Sequence, residues 1–297
     1  MKRPKRARRE HALGWVLTGP AMFLLGVFVV APVLLVLVLT VFDYDPFTHA
    51  FQFVGLRNFQ RVLPSHELWQ ATMNTIEYTA ITVPVTLGGG LVIALLIHGL
   101  SRGAGFWRSV YFLPVAATLT AMSVVWRFLF YPGSGLVDST LGGWFGLRDW
   151  LDSTSLALPA VAVVGSWAGL GSAVVLFLAG LSAVPAHLHE VAALDGASAW
   201  HRFWTVTWPA LGPATVFTLV LTVRDALRVF DQVRVVTGGG PLNSSQTLSV
   251  LLWQRGIKFL DIGGSSVVNL VLLTILLGTT LLQLRTFGRR WEAAGTR

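Results

Sequence analysis

Apolar and polar positions are sorted into blocks along this chain. Six stretches contain no Asp, Glu, Lys, Arg or His: Ala12 to Phe42, Tyr78 to Ile97, Ser109 to Trp126, Ser153 to Ala186, Phe203 to Val223 and Ile262 to Leu284. The shortest has 18 residues and the longest 34. A helix needs about 20 apolar residues to cross a hydrocarbon core of roughly 30 Å, and only a helix or a closed barrel satisfies its own backbone there. None of the blocks has the alternating rhythm of a barrel strand. The pattern therefore predicts an all-α integral membrane protein with six transmembrane helices, over about 13–42, 72–98, 107–130, 156–183, 204–231 and 262–285. Pro20, Pro32, Pro84, Pro114, Pro159 and Gly88 to Gly90 fall inside these blocks, where neighbouring helices can re-satisfy the backbone they interrupt.

Composition agrees. Of 297 residues 12% are charged and 54% hydrophobic, with a mean hydropathy of +0.65, whereas a soluble domain is about 25% charged. Cysteine is absent, which removes disulfides, thiol chemistry and Cys-based metal sites and leaves the redox compartment open. No G-x-x-x-x-G-K-[ST] run occurs, so the chain carries no phosphate cradle of its own.

The basic residues give the orientation. Lys and Arg number 13 on one set of segments: the tail 1–12, the loop of Arg102 and Arg108, the loop of Arg202, and the C-terminal end with Arg285, Arg289, Arg290 and Arg297. The opposite set holds six: Arg57, Arg61, Arg148, Arg234, Arg255 and Lys258. Since Lys and Arg accumulate in short cytoplasmic loops, both termini are expected inside. The start, MKRPKRARRE, is like the basic region of a signal peptide, but the apolar run behind it is too long for one and lacks a cleavage site. It is expected to be a retained first span. The net charge of +8 fits a tail resting on anionic lipid rather than a nucleic-acid partner. One transmembrane domain, 13–286, accounts for nearly the whole chain.

The loop 184–203 carries the most information. Pro185 suits the first turn of a helix. Leu188, Val191 and Ala192 fall on one helical face, Gly196 suits the left-handed residue that ends a helix, and Ser198 can cap the next one. The product is a short helix, a sharp turn and a second helix returning to the membrane, with small residues at Ala192 and Ala193 offering a low knob to another protein's cleft. A helix resting on lipid would instead carry Trp or Phe on one face and Lys or Arg on the other, and 185–195 has neither.

Glu190-Val191-Ala192, three residues, Gly196, nine residues, Val206, one residue and Trp208-Pro209 resemble the EAA loop, E-A-A-x3-G-x9-I-x-L-P, of binding-protein-dependent ABC importer permeases. The string from Glu190 to Ser198 is similar to the EAAxxDGAS form of their carbohydrate-importing, maltose-type branch. Val54 to Phe59 resembles the family's FVGLxNF, Asn74-Thr75 its NT, Leu113-Pro114 its LP, and Thr237 to Pro241 its TGGGP. Val191 departs from the family's first Ala and could shift the fit in a partner cleft. Trp208 replaces Leu and places a bulky ring at the membrane interface, where Trp is favoured.

The resemblance implies a type I ABC importer permease fold in a bacterial or archaeal cytoplasmic membrane. It also implies partners: two ATP-binding subunits that hold ATP and Mg, a second permease expected to be a different chain, and an extracytoplasmic solute-binding protein. This chain would bind no cofactor or metal and catalyse no reaction. By the same resemblance, Glu190, Val191, Ala192, Ala193, Asp195 and Gly196 couple the ATPase to the spans. The solute would be a sugar or a related polar molecule such as glycerol-3-phosphate. A stand-alone secondary transporter or channel is the alternative, although no inverted repeat of the kind common in such folds is evident.

A second constellation ends the fifth span. Arg224, Arg228 and Asp231 share a helical face (i, i+4, i+7), and Asp225 can reach Arg228 at i+3. Ionisable groups at membrane depth are costly unless they are paired or line a wet cavity. This face is expected either to form a solute pathway or to brace the bundle through Arg–Asp pairs. Asn74 and Glu77 raise the same question. Asn269 and Gln283 suit interhelical hydrogen bonds, and Gly165 and Gly169 suit close helix contact within the subunit. His187 and His189 are two residues apart and diverge on a helix, against a metal site.

Overall fold

The computed structural model describes residues 4–45, 47–48, 50–145 and 149–288. The ends of both basic tails and Arg148, which enter the charge asymmetry, lie outside the described residues. Four helices are long and apolar enough to cross a membrane: Gly14–Leu39, His66–His98, Ala157–Ser182 and Ile262–Phe287. Two helix pairs meet the same standard only together. Ala104–Ala116 and Leu119–Leu129 meet at 98°, and Ala199–Ala210 and Gly212–Val236 at 65°. The first bend has a local cause: Ala117 and Thr118 adopt extended backbone between the two helices, just beyond Pro114. At the second, Pro209 and Pro213 each open a new helical segment, where a missing N–H is harmless.

The chain divides into two units, Met1–Pro64 with Leu252–Leu270, and Ser65–Leu251 with Val271–Arg297. In the first, the helix Pro4–Leu25 continues through a π turn, Gly26–Val30, into Ala31–Leu39. A β-hairpin follows, a departure from the all-helical expectation: Phe42–Asp45 pairs antiparallel with Ala50–Phe53. It forms because Phe42, Tyr44, Phe51 and Phe53 meet across the strands, ring centroids 5.5 Å apart for Phe42–Phe53 and 4.8 Å for Tyr44–Phe51. Buried Asn58, the Asn of the Val54–Phe59 motif, donates to Thr40 O at 3.0 Å and Phe42 O at 2.9 Å and so ties the hairpin to the end of the first span. Asp261 accepts from Gly264 N at 2.9 Å at the start of the last span, in the manner of an N-cap, and pairs with Arg61 at 2.6 Å.

The second unit is built on the helices His66–His98 and Ala157–Ser182. Ser65 caps the former, accepting from Leu68 N. Between the two helices Gly165 lies against the Tyr78 hydroxyl and Gly169 against Thr86, so the Gly165/Gly169 pair makes a close contact within the subunit. An added Cβ at Gly165 would occupy the position of that hydroxyl. Tyr78, Phe130, Val161, Val164 and Val233 belong to one buried cluster, and Ala94, Ala173, Phe177 and Leu211 to another.

Candidate functional site

A cavity of about 570 Å³ opens beside that seam. Tyr78, Thr82 and Thr86 line it from one helix, Gly165, Gly169 and Ser172 from another, and Thr218, Thr222, Arg224, Asp225, Arg228, Asp231 and Gln232 from the broken fifth span. The spacing of the hydroxyls in the chain already marks them: Tyr78, Thr82 and Thr86 stand at i, i+4 and i+8, and Thr218 and Thr222 at i and i+4, which puts each set on one face. The Thr218 hydroxyl donates to Ala214 O at 2.7 Å and that of Thr222 to Thr218 O at 2.8 Å.

All four charged residues singled out at the end of the fifth span reach this cavity, but not as one helical face. The helix ends at Leu227; Arg228 is its C-cap, with φ −102° and ψ 15°, and a new helix begins at Asp231. The break removes the i, i+4, i+7 register on which the expected pairing of Arg228 with Asp225 and Asp231 depended. Instead Arg224 grips its neighbour Asp225 through Nε at 2.9 Å and Nη2 at 2.8 Å. Asp231 accepts from the Thr120 hydroxyl at 3.4 Å. Arg228 is exposed and makes no ion pair among the described residues.

Asn74 and Glu77, the other pathway candidates, are not among the cavity's lining residues. Glu77 is exposed elsewhere on its helix. Asn74 is buried, and its amide donates to Asn243 O and Gln246 O, both at 2.9 Å. Next to it, Thr75 Oγ1 accepts from Leu248 N at 2.9 Å. The Asn-Thr pair is a clamp on the loop that begins at Thr237, where Ser245, Gln246 and Thr247 are buried. The clamp joins residues about 170 apart in sequence, so no local pattern announces it.

The predicted knob is the helix Ala186–Leu194, entered from Pro185 in extended conformation. Gly196 has φ +78°; its N–H reaches Ala193 O at 3.1 Å and that of Ala197 reaches Ala192 O at 3.0 Å. These two bonds form a Schellman motif, which explains the glycine: an L side chain in that conformation costs about 1–2 kcal/mol. Ser198 then caps the next helix, accepting from His201 N at 3.3 Å. Glu190, Val191, Ala193, Asp195 and Gly196 are exposed, Ala192 is half-buried, and Leu194 at 88% is among the most exposed large apolar residues described. Leu188, Val191 and Leu194 of this helix are all exposed.

No known family profile matches the chain. It is 31% identical over 280 residues to the trehalose/maltose transport system permease protein MalF of Thermococcus litoralis, covering 93% of this chain and 94% of the relative. It is 30% identical over 279 residues to the sn-glycerol-3-phosphate transport system permease protein UgpA of Agrobacterium fabrum, covering 94% and 95%. Among solved structures it resembles a chain of a bacterial alginate ABC transporter in complex with an alginate pentasaccharide-bound periplasmic protein, with TM-score 0.80, 19% identity and coverage of 98% and 99%.

Proposed function

Since the chain belongs to the permease subunits of carbohydrate-type ABC importers, we propose that the 570 Å³ cavity is its share of the solute pathway and that the 186–194 helix is its coupling element. The observation that carries the first part is the company Arg228 keeps. A guanidinium at membrane depth is disfavoured by about 3 kcal/mol or more unless it has polar surroundings. Here it faces a space that Thr222, Asp225, Asp231 and Gln232 also line. Such a mixture of donors and carboxylates can replace the hydration of a sugar's hydroxyls one hydrogen bond at a time, the condition for passage without tight retention.

Each bent pair is taken as one crossing, for six spans, and the charge asymmetry supports both termini in the cytoplasm. In that orientation the Schellman-terminated helix projects into the cytoplasm of a bacterial or archaeal cell. Glu190 offers a negative charge to a basic group of an ATP-binding subunit, Ala192 and Ala193 allow close approach, and Asp195 with Gly196 fixes the angle of the return limb. Two such ATPase subunits, a second permease and an extracytoplasmic binding protein complete the importer. This chain binds neither ATP nor Mg and hydrolyses nothing; closure of the ATPase pair acts on the knob and rocks the spans between two states, a rigid-body coupling of distant sites.

The deciding experiment is uptake into proteoliposomes by the purified complex, with wild type against Arg228→Ala at saturating binding protein. Retained assembly and ATPase activity with reduced uptake is the expected result; wild-type uptake would remove the cavity from the pathway. Failure of any ATP-binding protein to copurify with the chain would favour a stand-alone carrier instead.

A further inference from the structure

The return limb behind the knob carries an aromatic cluster that neither the pathway nor the coupling helix uses. Trp200, Trp204 and Trp208 follow one another at four-residue steps. Phe203 sits among them, its ring centroid 6.2, 5.1 and 6.2 Å from theirs. Successive indoles meet edge to face at 5.6 and 5.8 Å. Phe203 is half-buried, yet the three indoles remain 71%, 47% and 36% exposed, and no hydrogen bond ties their N–H groups to another described residue.

Backbone geometry keeps the rings together. Four α-helical residues overshoot a full turn by about 40°, so three rings at this spacing share one broad face but drift across it on a regular helix. Phe203–Thr207 is a π turn, whose i→i+5 bonds take more residues per turn. The step from Trp204 to Trp208 is thereby wound back, and one face presents all three indoles.

We propose that this face lies in the headgroup layer of the cytoplasmic leaflet and anchors the return limb of the coupling segment to lipid. The inference rests on the orientation given above. Trp208 leads directly into the apolar stretch of the fifth span, so the cluster is continuous with membrane-facing chain. Indoles combine a large apolar body with an N–H that needs an acceptor, and they concentrate where hydrocarbon meets water. Lipid phosphate and ester oxygens supply the acceptors that the protein does not. Charge agrees: His201 and Arg202 flank the rings, and no Asp or Glu occurs from 196 to 224, as an anionic leaflet requires. The 186–194 helix has no Trp, Lys or Arg. The two limbs of one hairpin thus face different partners, protein for the first and lipid for the second.

The chain has no cysteine, so single spin-labelled cysteines report on chosen positions of this subunit. Trp204→Cys and Trp208→Cys are placed in the assembled importer in nanodiscs containing anionic lipid, keeping only preparations with wild-type ATPase activity; Trp200→Cys serves if either fails to assemble. Labels at 204 and 208 should collide more often with oxygen than with a water-soluble nickel chelate, and a label at Ala199→Cys the reverse. Nickel-dominated collisions at 204 and 208 would mean that the rings face water. Low collision rates with both reagents would mean that a protein covers them. Either result overturns the anchor. Reaction of Ala199→Cys with an impermeant thiol reagent in right-side-out but not inside-out vesicles would instead overturn the orientation itself.

Discussion

The second unit holds two polar clusters of similar size and opposite character. Around Asn74 and Thr75 the groups are buried and mutually bonded: both amide bonds of Asn74 end on loop carbonyls, Thr75 receives Leu248 N, and the Thr237 and Ser245 hydroxyls meet at 2.7 Å. Around Arg228 the charged groups are exposed or half-buried, spread about a cavity and, beyond Arg224–Asp225 and the long Thr120–Asp231 contact, left open. A polar group whose capacity is spent inside the protein is scaffold, because it has nothing left for a passing molecule. Unspent capacity around a void is what a solute can use. Residue type does not separate the two cases; the partners do.

This contrast can be broken by experiment. The largest effect is expected where scaffold touches cavity: Gly165→Val places methyls where the Tyr78 hydroxyl lies. Overpacking of this kind costs about 1–3 kcal/mol or more, so folded yield and uptake should fall together, and Gly165→Ala with Tyr78→Phe should recover part of both. Next, Asn74→Leu strands the Asn243 carbonyl and the buried Gln246 carbonyl and should lower stability by about 1–3 kcal/mol, read as a lower melting temperature, while uptake per folded complex and solute preference stay unchanged. Arg228→Ala should do the converse, with stability within about 0.5 kcal/mol of wild type and a marked loss of uptake. If Asn74→Leu altered solute preference, or Arg228→Ala melted early, the distinction between spent and unspent groups would not hold. At the knob, Gly196→Val costs about 1–2 kcal/mol in local strain, and Glu190→Lys costs less. Both should leave the protein inserted but separate ATP hydrolysis from uptake; normal coupling in both would remove the lever role.

How much of this the chain announces depends on whether the partners are near in sequence. The apolar blocks announce the long helices, because length and hydropathy are properties of a continuous segment. The knob is legible to the residue, since Pro185, Gly196 and Ser198 act within a turn or two of themselves. The bends at Ala117–Thr118 and Leu211 are not, because an uncharged block looks alike whether straight or broken, and Pro114, Pro209 and Pro213 only hint at them. The helix end at Leu227 is silent for a similar reason: Arg228 continues a plausible helical face, and only packing decides that the backbone leaves it. Asn58 and Asn74 read as motif letters and turn out to be clamps, because their partners lie in distant segments.

The threonines of the fifth span have one more consequence. Each sends its single proton back to a carbonyl one turn earlier, Thr218 to Ala214 and Thr222 to Thr218, so the oxygens they turn to the void carry lone pairs only. That flank of the wall can receive protons but not give them, while Arg224, Arg228 and Gln232, which line the same cavity, can give them. A polyol in this space would lend its own hydrogens to the threonines and borrow them from the guanidinium and amide groups. Masking its hydroxyls as methyl ethers would thus remove its grip on the threonines and leave its grip on the guanidinium intact.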